Sequence, residues 1–423
     1  MAGKLLYVVL DGAPDGFKRE TALSLANKPG IDSLAERGLC GLAYILGPGI
    51  APESDAAVMS LLGYDPEKYY TGRGPLEALG AGLSLPEGGI ALRANFATVD
   101  PGTLRILDRR VGRSLSSIEA RRLGEALDGL KLSGGLATAH FRATIGHRGV
   151  LVLEPHGARL SGAISNTDPA YERRGKISIA VERFEPYIRE AVPLEDSEEA
   201  RLAARLVNEF TRLAVDLLDR HEVNKERRKR GLPPANAVLL RDAGDRLPPA
   251  EPIKERFGLS FASIVEMVVE RGIARALGIH DIPVEVEGRS RPELLEEEAK
   301  LAAEALREFD AVYVHLKGPD EPGHDGDLEA KIKAIEDIDR FFVRSILDRV
   351  PLEETLIVVT SDHATPWYKK AHSGDPVPLL LSNPRLGRGP GRFTEEACKD
   401  GPLGVVERGY KILPLALDTL GRL

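Results

Sequence analysis

The 423-residue chain is 43% hydrophobic and 29% charged, which predicts a folded protein too long for one ordinary core and hence two domains. Its net charge of −8 argues against a nucleic-acid binder or a membrane-surface protein that works through bulk positive charge. No apolar run approaches the ~20 residues that span a bilayer, and the opening MAGKLLYVVLDGAPDG turns polar too soon for a secretory leader, so a cytoplasmic protein is expected.

In chain order, residues 4–10 (KLLYVVL) form an apolar, β-rich run that stops at Asp11-Gly12, the pattern of a buried parallel strand. Helical periodicity follows at 31–37 and 54–62. From about 85 to 250 the texture changes to alternating strand-like pieces (ALRANFATVD, LATAHFRATIGHRGVLVL) and one long amphipathic helix near 196–220. This predicts an inserted α+β domain over 85–250, with 1–84 and 251–423 forming the other domain. The stretch 222–235 (EVNKERRKRGLPPA) reads as a charged surface connection before a strand at 237–241. Helical patterns return at 259–277, 292–308 and 326–349, interleaved with strand-like runs at 310–316 (DAVYVHL) and 355–360 (TLIVVT). Strands alternating with helices indicate a doubly wound α/β sheet. No internal repeat is present.

Cys40 and Cys398 are too few for a disulfide framework and lack the spacing of a zinc or redox motif, although one bridge between them stays open. The absence of glutamine and the abundance of Arg and Glu fit a thermophile's avoidance of labile side chains.

The chemistry-bearing residues stand at strand ends. Asp11 ends the first strand, Asp320 and His324 follow 310–316, Asp362 and His363 follow 355–360, and His372 lies in the loop beyond. In an open α/β sheet the loops at the carboxyl ends of strands converge, so these distant residues can share one site. Carboxylates mixed with imidazoles suit Mn, Zn, Co or Mg, and the number of ligands exceeds what one ion needs, which points to two divalent ions. A strand-terminal Asp is also a common turn or cap residue, and His315, inside its strand, reads as a core or supporting histidine.

In APESDAAVMSLLGYDP, Ser54 stands where a Pro-bearing loop enters a helix. It reads either as a plain N-cap or as a nucleophile whose phosphate a helix N-terminus would hold; beside the metal motifs the nucleophile reading prevails. Asp55 has two roles open to it, capping and general-base catalysis. Lys317 in HLKGPD is either a solvated loop lysine or a cation sharing the charge of a transferred phosphoryl group. The insert carries Arg93, Arg109, Arg110, Arg113, Arg148 and Arg173, together with His147 and Asp168, and Arg241 ends the strand AVLLR. Guanidiniums of this kind fit a carboxylate or phosphate bidentately.

VLDGAPDG, the Ser54 helix with GYDP, GRGPLEALGAG, KGPDEPGHDGD and TSDHATPWYKKAHSGDPVP together resemble the archaeal-type cofactor-independent phosphoglycerate mutases of the alkaline phosphatase superfamily, over nearly the whole chain. The resemblance implies a phosphatase-like two-metal core with an inserted substrate-handling domain. It further implies a phosphoserine intermediate and interconversion of 2- and 3-phosphoglycerate in glycolysis and gluconeogenesis, without 2,3-bisphosphoglycerate. By motif, Asp320, His324 and His372 resemble the ligands of one metal, and Asp11, Ser54, Asp362 and His363 those of the other, with Mn the expected ion. Ser54, Lys317 and Asp55 resemble the catalytic set, while Arg93, Arg110, Arg113, His147, Arg148, Asp168 and Arg241 are the expected substrate residues, with Arg241 gripping the glycerate carboxylate. The SDGGVHSH-type segment of the longer bacterial form is missing, and Glu53 and Trp367 depart from the family pattern. The alternatives are a related phosphomutase, phosphotransferase or phosphatase acting on another small metabolite, or a scaffold that binds metal only for stability.

Overall fold

A computed structural model of the chain describes residues 3–18, 20–175 and 177–421. The run predicted at 4–10 is the strand Lys4–Leu10, buried from Leu5 onward because it is parallel to Ala311–Leu316 on one side and Thr355–Thr360 on the other. These three sit at the centre of an eight-stranded sheet in the order His280–Ile282, Phe261–Ile264, Ala311–Leu316, Lys4–Leu10, Thr355–Thr360, Val377–Ser382, Gly38–Ala43 and Val405–Val406. The sheet is parallel except at Val377–Ser382, which runs antiparallel to both neighbours. Leu6, Val8 and Leu10 pack with residues of the helices Pro29–Glu36 and Arg291–Glu308. Leu5, Tyr7 and Val9 point to the other face and are equally buried, so both faces are covered, as a parallel sheet requires. This is the doubly wound α/β class read from the sequence.

The chain forms two compact units, Met1–Tyr70 with Pro249–Leu423, and Thr71–Pro248. The first junction therefore falls at 70/71 rather than 84/85, because the helix Arg73–Gly80 packs against strands of the second unit. A Cβ at Gly74 would stand 2.4 Å from the carbonyl oxygens of Ala91 and Asp242, so this close approach depends on glycine.

Three other expectations change. The helix expected over 259–277 is a strand, Phe261–Ile264, followed by the helix Val268–Ala276. The short apolar run FASI inserts as a parallel strand between two others, a role that periodicity cannot distinguish from a buried helical turn. The helix expected over 326–349 runs from Leu328–Asp337 through a widened π stretch at Ile338–Val343 into Arg344–Leu347. In that stretch Asp339 accepts from the Gly30 and Ile31 amides at 3.1 and 2.6 Å. It thereby caps the helix Pro29–Glu36, whose own N-cap, Lys28, offers no side-chain bond. Finally, the charged stretch 222–235 is not a surface connection. It contains the helix Glu222–Lys229, and the Arg227 side chain is fully buried.

The second unit is built on the antiparallel strands Ala237–Gly244, Ile90–Val99, Arg148–Pro155, Ala137–Ala143 and Leu130–Leu132, in that order. The helix Glu198–Arg220 buries Leu206, Val207 and Phe210 in the same cluster as Phe96, Phe141 and Leu151. Arg227 ties this unit together. Its guanidinium donates to the Pro233 carbonyl at 2.9 Å, the Ser114 carbonyl at 3.2 Å, Ser114 Oγ at 2.8 Å and Glu119 at 2.7 Å. Arg227→Met is expected to cost roughly 3–5 kcal/mol, because it strands the acceptors of a buried ion pair. A thermal melt followed by circular dichroism checks this, and a change under 1 kcal/mol, roughly what a surface pair contributes, would contradict it.

Candidate active site

The strands Ala311–Leu316, Lys4–Leu10 and Thr355–Thr360 are adjacent and parallel, so their carboxyl ends open on one edge of the sheet. Asp11 and Lys317 follow two of them directly and Asp362 follows the third after Ser361, with Asp320 three residues beyond Lys317 and His363 one beyond Asp362. His363 is the hub. Its Nε2 lies 3.1 Å from Asp362 Oδ2 and 3.5 Å from Asp11 Oδ1, and its ring stacks on His372 with centroids 3.7 Å apart. His372 Nε2 in turn lies 3.5 Å from Asp320 Oδ1.

Ligand atoms come within 4.8 Å of one another in two groups, Asp320 with His363 and His372, and Asp11 with Asp362 and His363. This differs from the expected partition, since His363 stands in both groups and His324 in neither. The cause is local: His363 stands just beyond the strand Thr355–Thr360 and stacks on His372, whereas the half-exposed His324 approaches from its own short helix, Nε2 3.5 Å from Asp320 Oδ1.

The donor set fits divalent cations. Asp11 Oδ1, Asp362 Oδ2 and His363 Nε2 are buried and lack a hydrogen-bond partner, an arrangement that is costly unless a cation completes it. The other atoms of the same groups are fixed. Asp362 Oδ1 accepts from the Gly12 and His363 amides, each at 3.1 Å. His363 Nδ1 bonds Thr365 Oγ1 at 3.0 Å, and that hydroxyl donates to Asp320 Oδ1 at 2.6 Å. This network assigns the proton to Nδ1 and leaves Nε2 as a ligand atom. His372 Nδ1 donates to the Pro52 carbonyl at 2.8 Å. Burial pulls the His372 imidazole down, yet its bond to Asp320 and that carboxylate's charge push it up to about 9.

Charges at this edge interlock. Lys317 Nζ lies 3.0 Å from Asp11 and 2.5 Å from Glu270, and although burial opposes its charge these carboxylates hold it well above the usual lysine range. Burial would raise Asp362 too, but His363 and His315 hold it well below the usual carboxylate range. His315 links the two, with Nε2 3.4 Å from Asp362 and Nδ1 3.3 Å from Glu270.

Four supporting residues escaped the sequence reading. Glu270, on the helix Val268–Ala276, belongs to no motif. Thr365 stood in plain view, two residues past His363 in TSDHAT. Lys331 is a fully buried lysine whose Nζ donates to Asp15 Oδ1 at 2.7 Å, the Thr365 carbonyl at 2.8 Å and the Pro14 carbonyl at 3.3 Å. It pins the loop after Asp11 to the loop after His363. Asp15 also accepts from the Ala22 and Trp367 amides at 2.7 and 3.1 Å. The available signal was a lysine on the apolar face of a helix, four residues before Ile335.

Ser54 is the first residue of the helix Ser54–Leu61; the N-cap is Glu53, and no side-chain cap bond exists. The plain-cap reading of Ser54 therefore fails. Pro52, two residues earlier, receives the His372 bond, which ties this helix start to the ligand loop. Asp55 Oδ1 accepts from the Ala56 amide at 2.9 Å and Oδ2 from Tyr70 at 2.5 Å.

Within the second unit the expected substrate residues divide by charge compensation. Glu77 bonds Arg73 at 2.7 Å and Arg93 at 2.9 Å, and Arg93 reaches Asp242 at 3.3 Å. Arg241 pairs with Asp168 at 3.2 Å and stacks over Tyr171 at 4.0 Å; Arg109 closes on the same buried Asp168 through two bonds of 3.1 and 2.7 Å. Asp168 is thus a counter-ion for two guanidiniums. Arg173 Nε donates to the Gly175 carbonyl at 2.6 Å. Among the described residues, Arg110, Arg113 and Arg148 form no ion pair. Burial together with Arg148, Arg110, Arg113 and Arg241 lowers the neighbouring His147 to about 4. A loosely compensated positive pole of this kind attracts anions.

Comparison with known proteins bears on both units. A model of the 2,3-bisphosphoglycerate-independent phosphoglycerate mutase family matches residues 35–224. A protein of that name from Aeropyrum pernix is 59% identical over 99% of both chains, and one from Pyrobaculum aerophilum is 38% identical over 99% of this chain and 98% of its own. Among solved structures, a Pyrococcus horikoshii protein superposes with a TM-score of 0.77 at 31% identity, covering 100% of this chain and 98% of that one. A cofactor-independent phosphoglycerate mutase from Thermoplasma acidophilum gives 0.65 at 27% identity over 99% of both. Among the described residues no helix is long and apolar enough to cross a membrane.

Lys331→Met is expected to lower the affinity for Mn²⁺ by about 10–100-fold, the usual effect of losing a group that orients metal ligands. Calorimetric titration of folded variant and parent measures it, and equal affinities would reduce Lys331 to a packing role.

Proposed function

The chain belongs to the family of 2,3-bisphosphoglycerate-independent phosphoglycerate mutases, isomerases that act on phosphoglycerate, and from that premise we propose that Ser54 carries the phosphoryl group between the two positions of one glycerate. The observation that supports this most is the shared placement of two ligand groups around His363 and of the Ser54 helix start, joined through the His372–Pro52 bond. Two divalent ions, held by Asp320, His363 and His372 with His324 at the rim, and by Asp11, Asp362 and His363 with Ser54, would acidify the Ser54 hydroxyl and neutralise phosphoryl oxygens. The mixed carboxylate and imidazole set suits Mn, Co, Zn or Mg.

Ser54 Oγ attacks phosphorus, the bond to the glycerate oxygen breaks, and the serine proton ends on the released hydroxyl. Reoriented glycerate then offers its other hydroxyl to the phosphoserine, and the bond to Ser54 breaks in turn, so no diphosphorylated primer is consumed. Lys317, kept charged by Asp11 and Glu270, balances the phosphoryl charge in both transfers. The Ala56 bond favours capping over general-base catalysis for Asp55. In the second unit Arg110, Arg113 and Arg148, lacking carboxylate partners, are the side chains we assign to the substrate's anionic groups, while Arg93 and Arg241 are already paired with Asp242 and Asp168. The place of the reaction in glycolysis and gluconeogenesis follows from this assignment.

A coupled enolase assay tests the reading: turnover of 3-phosphoglycerate without 2,3-bisphosphoglycerate is expected, and Ser54→Ala should lose about 10³-fold or more of it. Normal turnover by the folded variant would remove the phosphoserine. For the anion site, burial and the surrounding guanidiniums hold His147 low, at about 4, and an anion held beside it stabilises the imidazolium. Adding 3-phosphoglycerate should therefore move that value upward in an NMR titration. An unchanged value would separate the cation pole from substrate binding.

A further inference from the structure

A side chain touches about 6–12 others, so two cysteines placed at random in a chain of 423 residues would meet in only a few per cent of cases. Cys40 and Cys398 meet. Cys40 lies in the strand Gly38–Ala43 and Cys398 in the helix Glu395–Lys399, and both are fully buried in one apolar cluster with their thiols free. The backbones are close as well. The Leu403 amide donates to the Cys40 carbonyl at 3.0 Å and the Gly401 amide to the Cys398 carbonyl at 3.1 Å. A Cβ on Gly401 would stand 2.1 Å from the Cys40 oxygen and 3.1 Å from the Cys398 oxygen, so the two carbonyls are no farther apart than those lengths combined. Backbones this near are compatible with a disulfide, which sets ~4.4–6.8 Å between its Cα atoms. A chain that contains no glutamine yet keeps two thiols, both in this one place, adds a compositional argument, since intracellular proteins of hyperthermophiles commonly use disulfides.

We propose that Cys40 and Cys398 form an internal disulfide that staples the segment around Glu395–Lys399 to the strand Gly38–Ala43. The reaction is exchange with an external disulfide. One cysteine thiolate attacks it and expels a thiol; the second cysteine attacks the mixed disulfide and expels another. Two protein thiols and one external disulfide thus become one protein disulfide and two external thiols. In the folded protein the contact with Cys40, together with burial, pushes Cys398 well above the ordinary thiol range. Cys398 is then no ready thiolate, and with both sulfurs buried the exchange belongs to folding, before helix and strand close on each other.

The test uses the full chain, refolded from denaturant with glutathione disulfide and then unfolded in N-ethylmaleimide for intact mass measurement. No adduct without reductant and two adducts after phosphine reduction are expected; two adducts without reductant would overturn the proposal. Melting of the same samples tests the staple. Oxidised protein should melt several degrees above reduced protein, a difference absent from Cys398→Ala, because the bond closes a loop of more than 300 residues. Equal melting temperatures for the oxidised and reduced wild type would overturn the stapling role.

Discussion

Everything at the sheet's open edge depends on burying Asp11 and Asp362, with the half-buried Asp320 nearby, beside His363 and His372. Isolated buried carboxylates are prohibitively costly, and the protein meets part of that cost with Lys317 and His315 and with the backbone amides that hold Asp362 Oδ1. It leaves Asp11 Oδ1, Asp362 Oδ2 and His363 Nε2 without a hydrogen-bond partner. The rest of the first unit follows from this demand: Thr365 orients His363, Lys331 locks two ligand loops together, and Glu270 sits behind Lys317 and His315.

Much of this was legible in the sequence for a physical reason. Strand-terminal residues of a parallel sheet share one edge, so Asp11, Asp320, Asp362 and His363 could be brought together from spacing alone. What spacing cannot supply is which side chain stands between the others. The hub position of His363 and the rim position of His324 come from a ring stack and a local helix, neither of them written in a motif. The strand Phe261–Ile264 was hidden because a short buried run has no diagnostic period, and the π stretch at Ile338–Val343 because its cause, Asp339 capping a helix some 300 residues away in sequence, is tertiary. Arg227 looked like solvent-exposed charge because a basic run gives no sign of which member will meet buried acceptors.

The second unit shows why residue type alone could not rank its arginines. Composition supplies many guanidiniums, and only the three-dimensional pairing separates those already neutralised by Glu77, Asp168 and Asp242 from those that are not. Asp242, with φ +57° at a bulge in Ala237–Gly244, reaches toward both Arg93 and Arg241, so an irregular backbone position is what brings these two side chains to one carboxylate.

The pairing of Lys4–Leu10 with Ala311–Leu316 and Thr355–Thr360 also orders events in time. The first strand emerges from the ribosome early, but both partners come from the last third of the chain, so its apolar edges stay unpaired during most of translation. The second unit, Thr71–Pro248, is continuous and can fold as soon as it has been synthesised. The sheet centre closes late and across long separations, the slow, contact-order-limited regime. A nascent chain of this protein is therefore most exposed to strand-edge aggregation while its insert is already complete, and the earliest-made residues at the sheet's open edge are among the last to find their places.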